Sequence, residues 1–463
     1  MSLTGTPFLV TAIVLAVIAV LLPLALWSRV RGPAVVRGAV RLGMVAFAQL
    51  TAIVVVFVAV NNVNGLYDSW DDLLGTSDHV DSAIDLGPDG LGGKRISDLP
   101  KVRQTFTPVD DPTMGPGVRR TVLKGGLSGV KAEVYVWLPP QYDDPAYRDK
   151  KFPVVELLSG FPGSPKSWFV GMRANTQLEP LMRNGTVEPF ILVAPRSHLL
   201  GHTDTGCANV PGRINADTWL SVDVRKMVMD NFRASQAADG WAVTGFSSGA
   251  HCAAKLAIAH PDRYRYGVSM SGYNDPAAEP SSLTGKDPEL RHAHNPLTML
   301  RTAPVPPRVT LLMTGDGNDG YRQGVALREA SRAPTRVDVQ QVYGGHRVST
   351  WVREVPSVFQ WLTQQFRADG AGAGQAPDQG SAGAGEGPAG AGEGSAGADQ
   401  GSAGAGEGPA GADQGSAGAG EGPAGADQGS AGAGEGPAGA GTDSAGPGAG
   451  AGAGTGALST RRR

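Results

Sequence analysis

A serine lies between two glycines at the end of a short apolar run. The run Trp241–Phe246 leads into Ser247, and an alanine-rich stretch typical of a helix follows. Residues 245–249 read Gly-Phe-Ser-Ser-Gly, a pattern in which a strand turns sharply into a helix and exposes the serine hydroxyl. The glycines suit such a turn because strand and helix approach closely there. The flanking strand and helix make Ser247 a candidate nucleophile for acyl transfer.

A serine nucleophile needs a base and a carboxylate that orients the base. His346 ends Tyr-Gly-Gly-His after a predicted strand at 337–342, where parallel sheets present functional groups. The carboxylate is expected in Gly-Asp-Gly-Asn-Asp, after a predicted strand at 308–314. Asp319 leads directly into the next helix and is favoured over Asp316, which stays the alternative acid. The order serine, acid, histidine is that of α/β-hydrolases.

An acyl-transfer site also needs two backbone N–H groups that converge on the developing oxyanion. One is expected from Ser248, directly after the nucleophile. The other is expected from Phe161, in the loop Ser-Gly-Phe-Pro-Gly that follows an early apolar run. The alternative for this loop is a plain turn between a strand and a helix.

Three further histidines fall near these motifs. His251 is one turn into the helix after Ser247, where we expect it to be packed. His198 and His202 share a loop rich in glycine and threonine, which favours a surface loop over a pocket lining or a metal site.

The predicted elements alternate between strands and helices, which indicates an α/β fold with a mostly parallel sheet. The catalytic segment is expected at residues 101–368, a length that suits one domain. Strands are predicted at 130–138, 152–158, 190–194, 241–246, 266–270, 308–314 and 337–342, and helices at 217–232, 321–331 and 351–366.

Two long apolar runs precede this segment, at residues 7–27 and 40–60. Each has about the 20 residues that cross a bilayer, so residues 1–60 are predicted to hold two transmembrane helices. A signal peptide fits the first run less well because no basic residues precede it and a second run follows at once. Residues 61–100 are then a juxtamembrane linker.

Charge predicts the orientation of these helices. Arginines lie between the runs or at their edges, and aspartates follow the second run; the arginines are Arg29, Arg31, Arg37 and Arg41. The positive-inside rule places the arginine-rich loop in the cytoplasm. A cell-membrane protein with two passes and an extracytoplasmic catalytic domain is therefore expected.

The last part of the chain, residues 369–463, repeats a unit of about 14 residues made of Gly, Ala, Ser, Pro, Gln and scattered acids. Large apolar residues do not recur in it, so a disordered tail is expected. The whole chain has a net charge of −3 and the catalytic segment has no basic patch, which argues against a nucleic-acid partner.

The chain has two cysteines, Cys207 and Cys252. An extracytoplasmic location permits a disulfide, and only one intramolecular pairing exists. Two separate thiols are the alternative.

Several motifs together resemble the family named "Putative esterase", which groups esterase D, S-formylglutathione hydrolases and mycolyltransferases of mycobacterial envelopes. The resemblance covers residues 130–366. It rests on Val-Trp-Leu-Pro-Pro-Gln-Tyr at 136–142, Leu-Leu-Ser-Gly-Phe at 157–161, Gly-Phe-Ser-Ser-Gly at 245–249, His-Pro-Asp-Arg-Tyr at 260–264, Ser-Met-Ser-Gly-Tyr at 269–273, and Gly-Gly-His at 344–346 with Trp351 after it.

The resemblance implies an α/β-hydrolase that needs no metal or organic cofactor. It implies Ser247 as nucleophile, His346 as base, and Phe161 with Ser248 as oxyanion donors. The acid loop departs from the family's Gly-x-x-Asp, because Asn318 stands at that spacing. In membrane-anchored esterases of high-GC bacteria, a cysteine of Asp-Thr-x-Cys pairs with one beside the nucleophile, which implies a Cys207–Cys252 disulfide.

The expected function is therefore a membrane-anchored serine esterase that hydrolyses small-molecule or lipid carboxylic esters through an acyl-enzyme. An acyltransferase that passes the acyl group to an envelope sugar or lipid is the alternative, because it uses the same residues. A catalytically inactive envelope protein of the same fold is the competing class.

Overall fold

The computed structural model describes residues 2–76, 79–317 and 319–373, with side chains through residue 369. The predicted tail from residue 374 onward lies outside the described residues. The last helix runs from Val348 to Ala373, so the boundary predicted at residue 368 falls inside it.

Two apolar helices open the chain, α1 at Thr6–Leu26 and α2 at Ala34–Asn64. Their length and composition allow each to cross a membrane, which is compatible with an anchor. The helix α2 is longer than the predicted run at both ends. Arg37 and Arg41 therefore lie on its first turns rather than in the loop, and Arg41 Nη2 donates to the Trp27 carbonyl at the end of α1 over 2.9 Å.

The strands form one nine-stranded sheet in the order β1-β2-β3-β5-β4-β8-β9-β10-β11, and β6 pairs only with β7. Their bounds are Thr107–Pro108 (β1), Val118–Lys124 (β2), Lys131–Trp137 (β3), Val154–Leu158 (β4), Ile191–Pro195 (β5), Asn209–Val210 (β6), Ile214–Asn215 (β7), Trp241–Phe246 (β8), Tyr266–Met270 (β9), Thr310–Gly315 (β10) and Arg336–Gln341 (β11). The first four strands in this order, β1, β2, β3 and β5, pair with one another in antiparallel fashion. All pairs from β5 onward, through β4, β8, β9 and β10 to β11, are parallel.

The remaining helices cover both faces of the sheet. Their bounds are Trp70–Leu74 (α3), Ala174–Arg183 (α4), Ala216–Thr218 (α5), Arg225–Asn231 (α6), Ser248–Ala259 (α7), Leu283–Lys286 (α8), Pro288–Ala293 (α9), Pro296–Thr302 (α10), Tyr321–Ala330 (α11) and Val348–Ala373 (α12). One core cluster packs α6, α7, α10 and α11 on the sheet, and a second packs α4 and α12 on the other face. This arrangement of a mostly parallel sheet between helices is the predicted α/β-hydrolase fold.

The central parallel strands are buried on both faces, as the apolar runs at 152–158 and 190–194 predict, whereas the edge strand β11 is mostly exposed. Every residue of β4, β5, β8, β9 and β10 is buried. The predicted helix at 217–232 is present but interrupted, because a π-helical turn at Trp219–Val224 separates α5 from α6. The strand β2 was not predicted; buried and exposed residues roughly alternate in it, and it separates β3 from the edge of the sheet.

One buried acid lies in the middle of this sheet. Glu156 of β4 is fully buried, and the Tyr264 hydroxyl donates to its Oε2 over 2.7 Å. Burial raises the pKa of Glu156 to about 8, although the hydrogen bond from Tyr264 acts in the opposite direction. The folded state therefore binds a proton that the unfolded state releases near pH 4.5.

Stability should consequently fall as the pH rises from about 5 to 8 and then level off, since the folded state must give up this proton. The variant Glu156→Gln mimics the protonated acid, so the decrease in stability that Glu156 causes should be absent from it. Thermal unfolding of both proteins in detergent between pH 5 and 9 measures the difference. Glu179→Gln, a surface change in α4, is the control, and an unchanged pH profile in Glu156→Gln would contradict the assignment.

Candidate active site

Ser247 occupies the turn between β8 and α7 in a strained backbone, with φ at 58° and ψ at −124°. Its neighbours explain how the turn is made. A Cβ on Gly245 would stand 2.0 Å from the carbonyl oxygen of Gly249, and one on Gly249 would stand 2.4 Å from that of Leu158. Only glycines allow strand, turn and helix to approach so closely, and the turn leaves the serine side chain at the carboxyl end of the sheet.

His346 lies between Ser247 and Asp319. Its Nε2 is 2.8 Å from Ser247 Oγ, and its Nδ1 is 2.7 Å from Asp319 Oδ1. With the proton on Nδ1, the histidine donates to the carboxylate and accepts from the serine hydroxyl. The His346 and Asp319 side chains are 46% and 29% exposed, so this hydrogen-bonded chain is accessible from solvent.

Asp316, the alternative acid, lies elsewhere in the same loop. Its Oδ2 accepts from the N–H groups of Gly344 and Gly345 over 3.1 and 3.0 Å. Its backbone carbonyl accepts from the N–H of Asp319. The structure therefore brings Asp319 to the histidine, while Asp316 holds the loop that carries His346.

The loop after β4 contains the Phe161 N–H and lies against the nucleophile. A Cβ on Gly160 would stand 2.9 Å from the Ser247 Cβ, so the peptide that joins Gly160 to Phe161 borders the serine. Within the described parts of the chain, the N–H groups of Phe161 and Ser248 have no hydrogen-bond acceptor. Both donors are thus available to a ligand oxygen at this site.

Two residues of α12 without a predicted role, Trp351 and Glu354, lie near the candidate triad. The Trp351 ring meets the His346 ring edge to face, with centroids 4.8 Å apart, and Trp351 Nε1 donates to Ser271 Oγ over 2.9 Å. Glu354, one turn further along α12, accepts a hydrogen bond from Thr314. Burial, with the nearby Asp319 charge, raises the pKa of Glu354 to about 7. The helical spacing of Trp351 and Glu354 is the signal that could have shown both residues on one face.

Two of the other histidines, His251 and His198, are buried and make structural contacts. His251 is buried in α7, as predicted; its Nδ1 donates to the Tyr273 carbonyl over 2.9 Å, and burial lowers its pKa to about 4. The prediction of a surface loop is wrong for His198. This residue is buried, and its Nε2 lies 2.9 Å from the Gly160 carbonyl oxygen. In the described residues, no group of three or more His, Cys, Asp or Glu side chains is arranged to hold a metal ion.

Cys207 and Cys252 are joined in a disulfide that ties the loop after β5 to α7. The Lys255 ammonium, one turn beyond Cys252, donates to the Cys207 carbonyl and to Asp217 Oδ2. The bridge therefore fixes a pocket loop to the helix whose first turn follows the nucleophile.

Removing this bridge by the paired change of Cys207 and Cys252 to serine should lower stability. The bridge closes a loop of 45 residues, for which chain entropy predicts up to about 4 kcal/mol. Thermal unfolding of the full chain measures the loss, and thiol titration of the denatured, unreduced wild type should find no free thiol. Two free thiols in protein purified from the cell envelope would contradict the bridge.

Residues 128–362 match the model of the family described as "Putative esterase", and the chain belongs to this family. An uncharacterized protein of Corynebacterium glutamicum is 23% identical over 342 residues, which are 69% of this chain and 76% of that protein. Among solved structures, a ferulic acid esterase is 19% identical with a TM-score of 0.46, covering 54% of this chain and 98% of its own. The Staphylococcus aureus fluorophosphonate-binding serine hydrolase F is 18% identical with a TM-score of 0.44, covering 54% and 99%.

Membership of this family supports esterase or acyltransferase activity on a small ester substrate.

Proposed function

We propose that this protein is a serine esterase that hydrolyses carboxylic esters through an acyl-enzyme, held at the outer face of a cell membrane by α1 and α2. The observation that carries the proposal is the continuous chain of hydrogen bonds from Asp319 through His346 to Ser247. Beside the serine are the N–H groups of Phe161 and Ser248, which have no acceptor among the residues that the structure describes. The hydrogen-bonded chain would supply nucleophile and base, and the two N–H groups would supply the oxyanion donors.

In this mechanism, Ser247 Oγ attacks the ester carbonyl as His346 Nε2 takes its proton. The carbonyl oxygen becomes an oxyanion and accepts hydrogen bonds from Phe161 and Ser248. Asp319 keeps the histidine proton on Nδ1 and stabilises the imidazolium. His346 then protonates the leaving alcohol, and water, activated by the same histidine, releases the acid and regenerates Ser247.

A fluorophosphonate probe and a series of esters test the function. The purified full chain in detergent should be labelled at Ser247 and should release acid from short- or long-chain esters. Adding sugar acceptors distinguishes an esterase from the alternative, an acyltransferase, because an acyltransferase would form a new ester and release less free acid. Absence of both labelling and ester turnover in folded protein would leave the competing class, an inactive protein of this fold.

The membrane orientation gives a separate prediction. The loop between α1 and α2, with Arg29 and Arg31, should lie in the cytoplasm and the catalytic domain outside. Protease added to intact cells stripped of their wall should therefore digest the catalytic domain, while a cytoplasmic marker protein survives. A catalytic domain that resists protease until the cells are lysed would reverse the orientation.

A further inference from the structure

The segment that follows α2 is folded onto the catalytic domain rather than left as a free linker. Residues 65–72 form what we call the strap. Gly65 ends α2 in the left-handed conformation, with φ at 63°, and turns the chain toward the loop after β4. The Gly65 carbonyl accepts from the Ser164 N–H over 3.0 Å. Ser164 lies three residues after Phe161, so the strap contacts the loop that carries an oxyanion donor.

Asp68 is the centre of this contact. Its Oδ1 accepts from Ser164 Oγ over 3.1 Å and lies 3.2 Å from Lys166 Nζ. Its Oδ2 accepts from Arg196 Nη2 over 2.8 Å. The Asp68 side chain is 11% exposed and that of Arg196 is 6% exposed, so this contact is largely shielded from water. Charge-assisted bonds in such surroundings are stronger and more directional than those on a surface.

Arg196 connects the strap to the other side of the same loop. It also pairs with Glu133 of β3 and with Asp72 of the strap. Two residues further on, His198 Nε2 bonds to the Gly160 carbonyl, and the His198 ring meets the Phe161 ring at 5.0 Å. The loop from Gly160 to Ser164 is therefore held at one end by His198 and at the other by Asp68, and Arg196 links the two supports.

The strap also forms part of a small pocket of about 30 Å³ beside this loop. Leu66 and Tyr67 of the strap line it together with Phe161 and Pro162. The strap and the oxyanion loop thus share the lining of one pocket.

We infer that the strap positions the oxyanion loop, with Asp68 acting through Ser164 as a positioning residue for turnover. This inference rests on the proposed esterase function. Because the donors must stand about 3 Å from an oxygen that is charged only in the transition state, a small displacement of the loop costs rate more than it costs binding. The catalytic domain would then depend on the segment that joins it to α2.

Two variants of the full chain in detergent test the inference. Asp68→Asn keeps the shape of the side chain and removes its charge, and Ser164→Ala removes only the hydroxyl that reaches Asp68. Asp98→Asn is the matched control, because Asp98 also pairs with an arginine in residues 61–100 but at an exposed site. Turnover is measured per active site counted by complete fluorophosphonate labelling, so unfolded protein does not enter the rate.

We expect kcat to fall about 10- to 100-fold in Asp68→Asn and somewhat less in Ser164→Ala, with KM changed less than about threefold. The double variant should be no slower than Asp68→Asn alone, since both changes break the same contact. A purely structural role would lower the melting temperature but leave kcat per labelled site at the wild-type value, and that result would overturn the inference. Wild-type protein that is labelled but turns over no ester would instead contradict the proposed function.

Discussion

Replacing Ser247 by alanine is expected to lower ester hydrolysis by about 10⁴-fold or more. The change removes the atom that forms the acyl-enzyme, and the hydroxyl makes its hydrogen bond to a partly exposed His346 rather than to a core residue. Alanine also has to adopt the positive φ that serine already has at this turn, so the backbone strain is the same in both proteins. The loss should therefore appear in activity and fluorophosphonate labelling, with little change in melting temperature.

Ser97→Ala is the control, because it removes a hydroxyl from an exposed position outside the cleft. Initial rates on the best ester found for the wild type measure the effect. Retention of more than about a tenth of the activity in folded Ser247→Ala would show that another group starts the reaction.

The second large effect is expected for Asp319→Asn, at about 10⁴-fold. The same change at the buried aspartate of serine proteases costs about that much because it leaves the histidine in the wrong tautomer. Here Asp319 Oδ1 lies 2.7 Å from His346 Nδ1 and accepts a hydrogen bond from it. This bond keeps the proton on Nδ1 and leaves Nε2 free to act as base. An asparagine amide can donate to Nδ1 instead, which moves the proton to Nε2, where it blocks the serine.

Asp316→Asn is the matched comparison in the same loop. The asparagine carbonyl can still accept from the N–H groups of Gly344 and Gly345, so we expect a loss below about tenfold. Steady-state rates of both purified variants, with melting temperatures as a check on folding, measure the ranking. The reverse ranking would move the role of the acid to Asp316 and leave Ser247 and His346 in place.

Local patterns predicted most of the parallel half of the fold. Trp241–Phe246 and Tyr266–Met270 have the predicted bounds, because a short and mostly apolar run between turn residues has few alternatives to a buried strand. The strand β2 was missed because only three of its seven residues are buried. Local patterns also could not predict the order of β4 and β5 in the sheet, since both are short strands in which every residue is buried.

For the candidate site, too, local patterns predicted one part and only the tertiary structure decided the other. Spacing alone nominated Ser247, His346 and two acids, because each follows a strand and the carboxyl ends of parallel strands meet at one edge. The choice between Asp319 and Asp316 depended on the tertiary structure, because the two residues are only three apart in sequence. The turn between them directs the Asp319 carboxylate to His346. It directs the Asp316 carboxylate to the backbone N–H groups of Gly344 and Gly345.

By itself, then, the amino-acid sequence determined the fold class, the family and the small set of side chains able to do acyl transfer, because strands, turns and glycine requirements are local properties. The tertiary structure alone decided which distant residues share a contact. Asp68 and Arg196 are 128 residues apart, and their ion pair forms only when the strap is folded against the end of β5. Neither residue lies in a motif, since the energy of a buried ion pair depends on geometry and shielding from water rather than on neighbours in sequence.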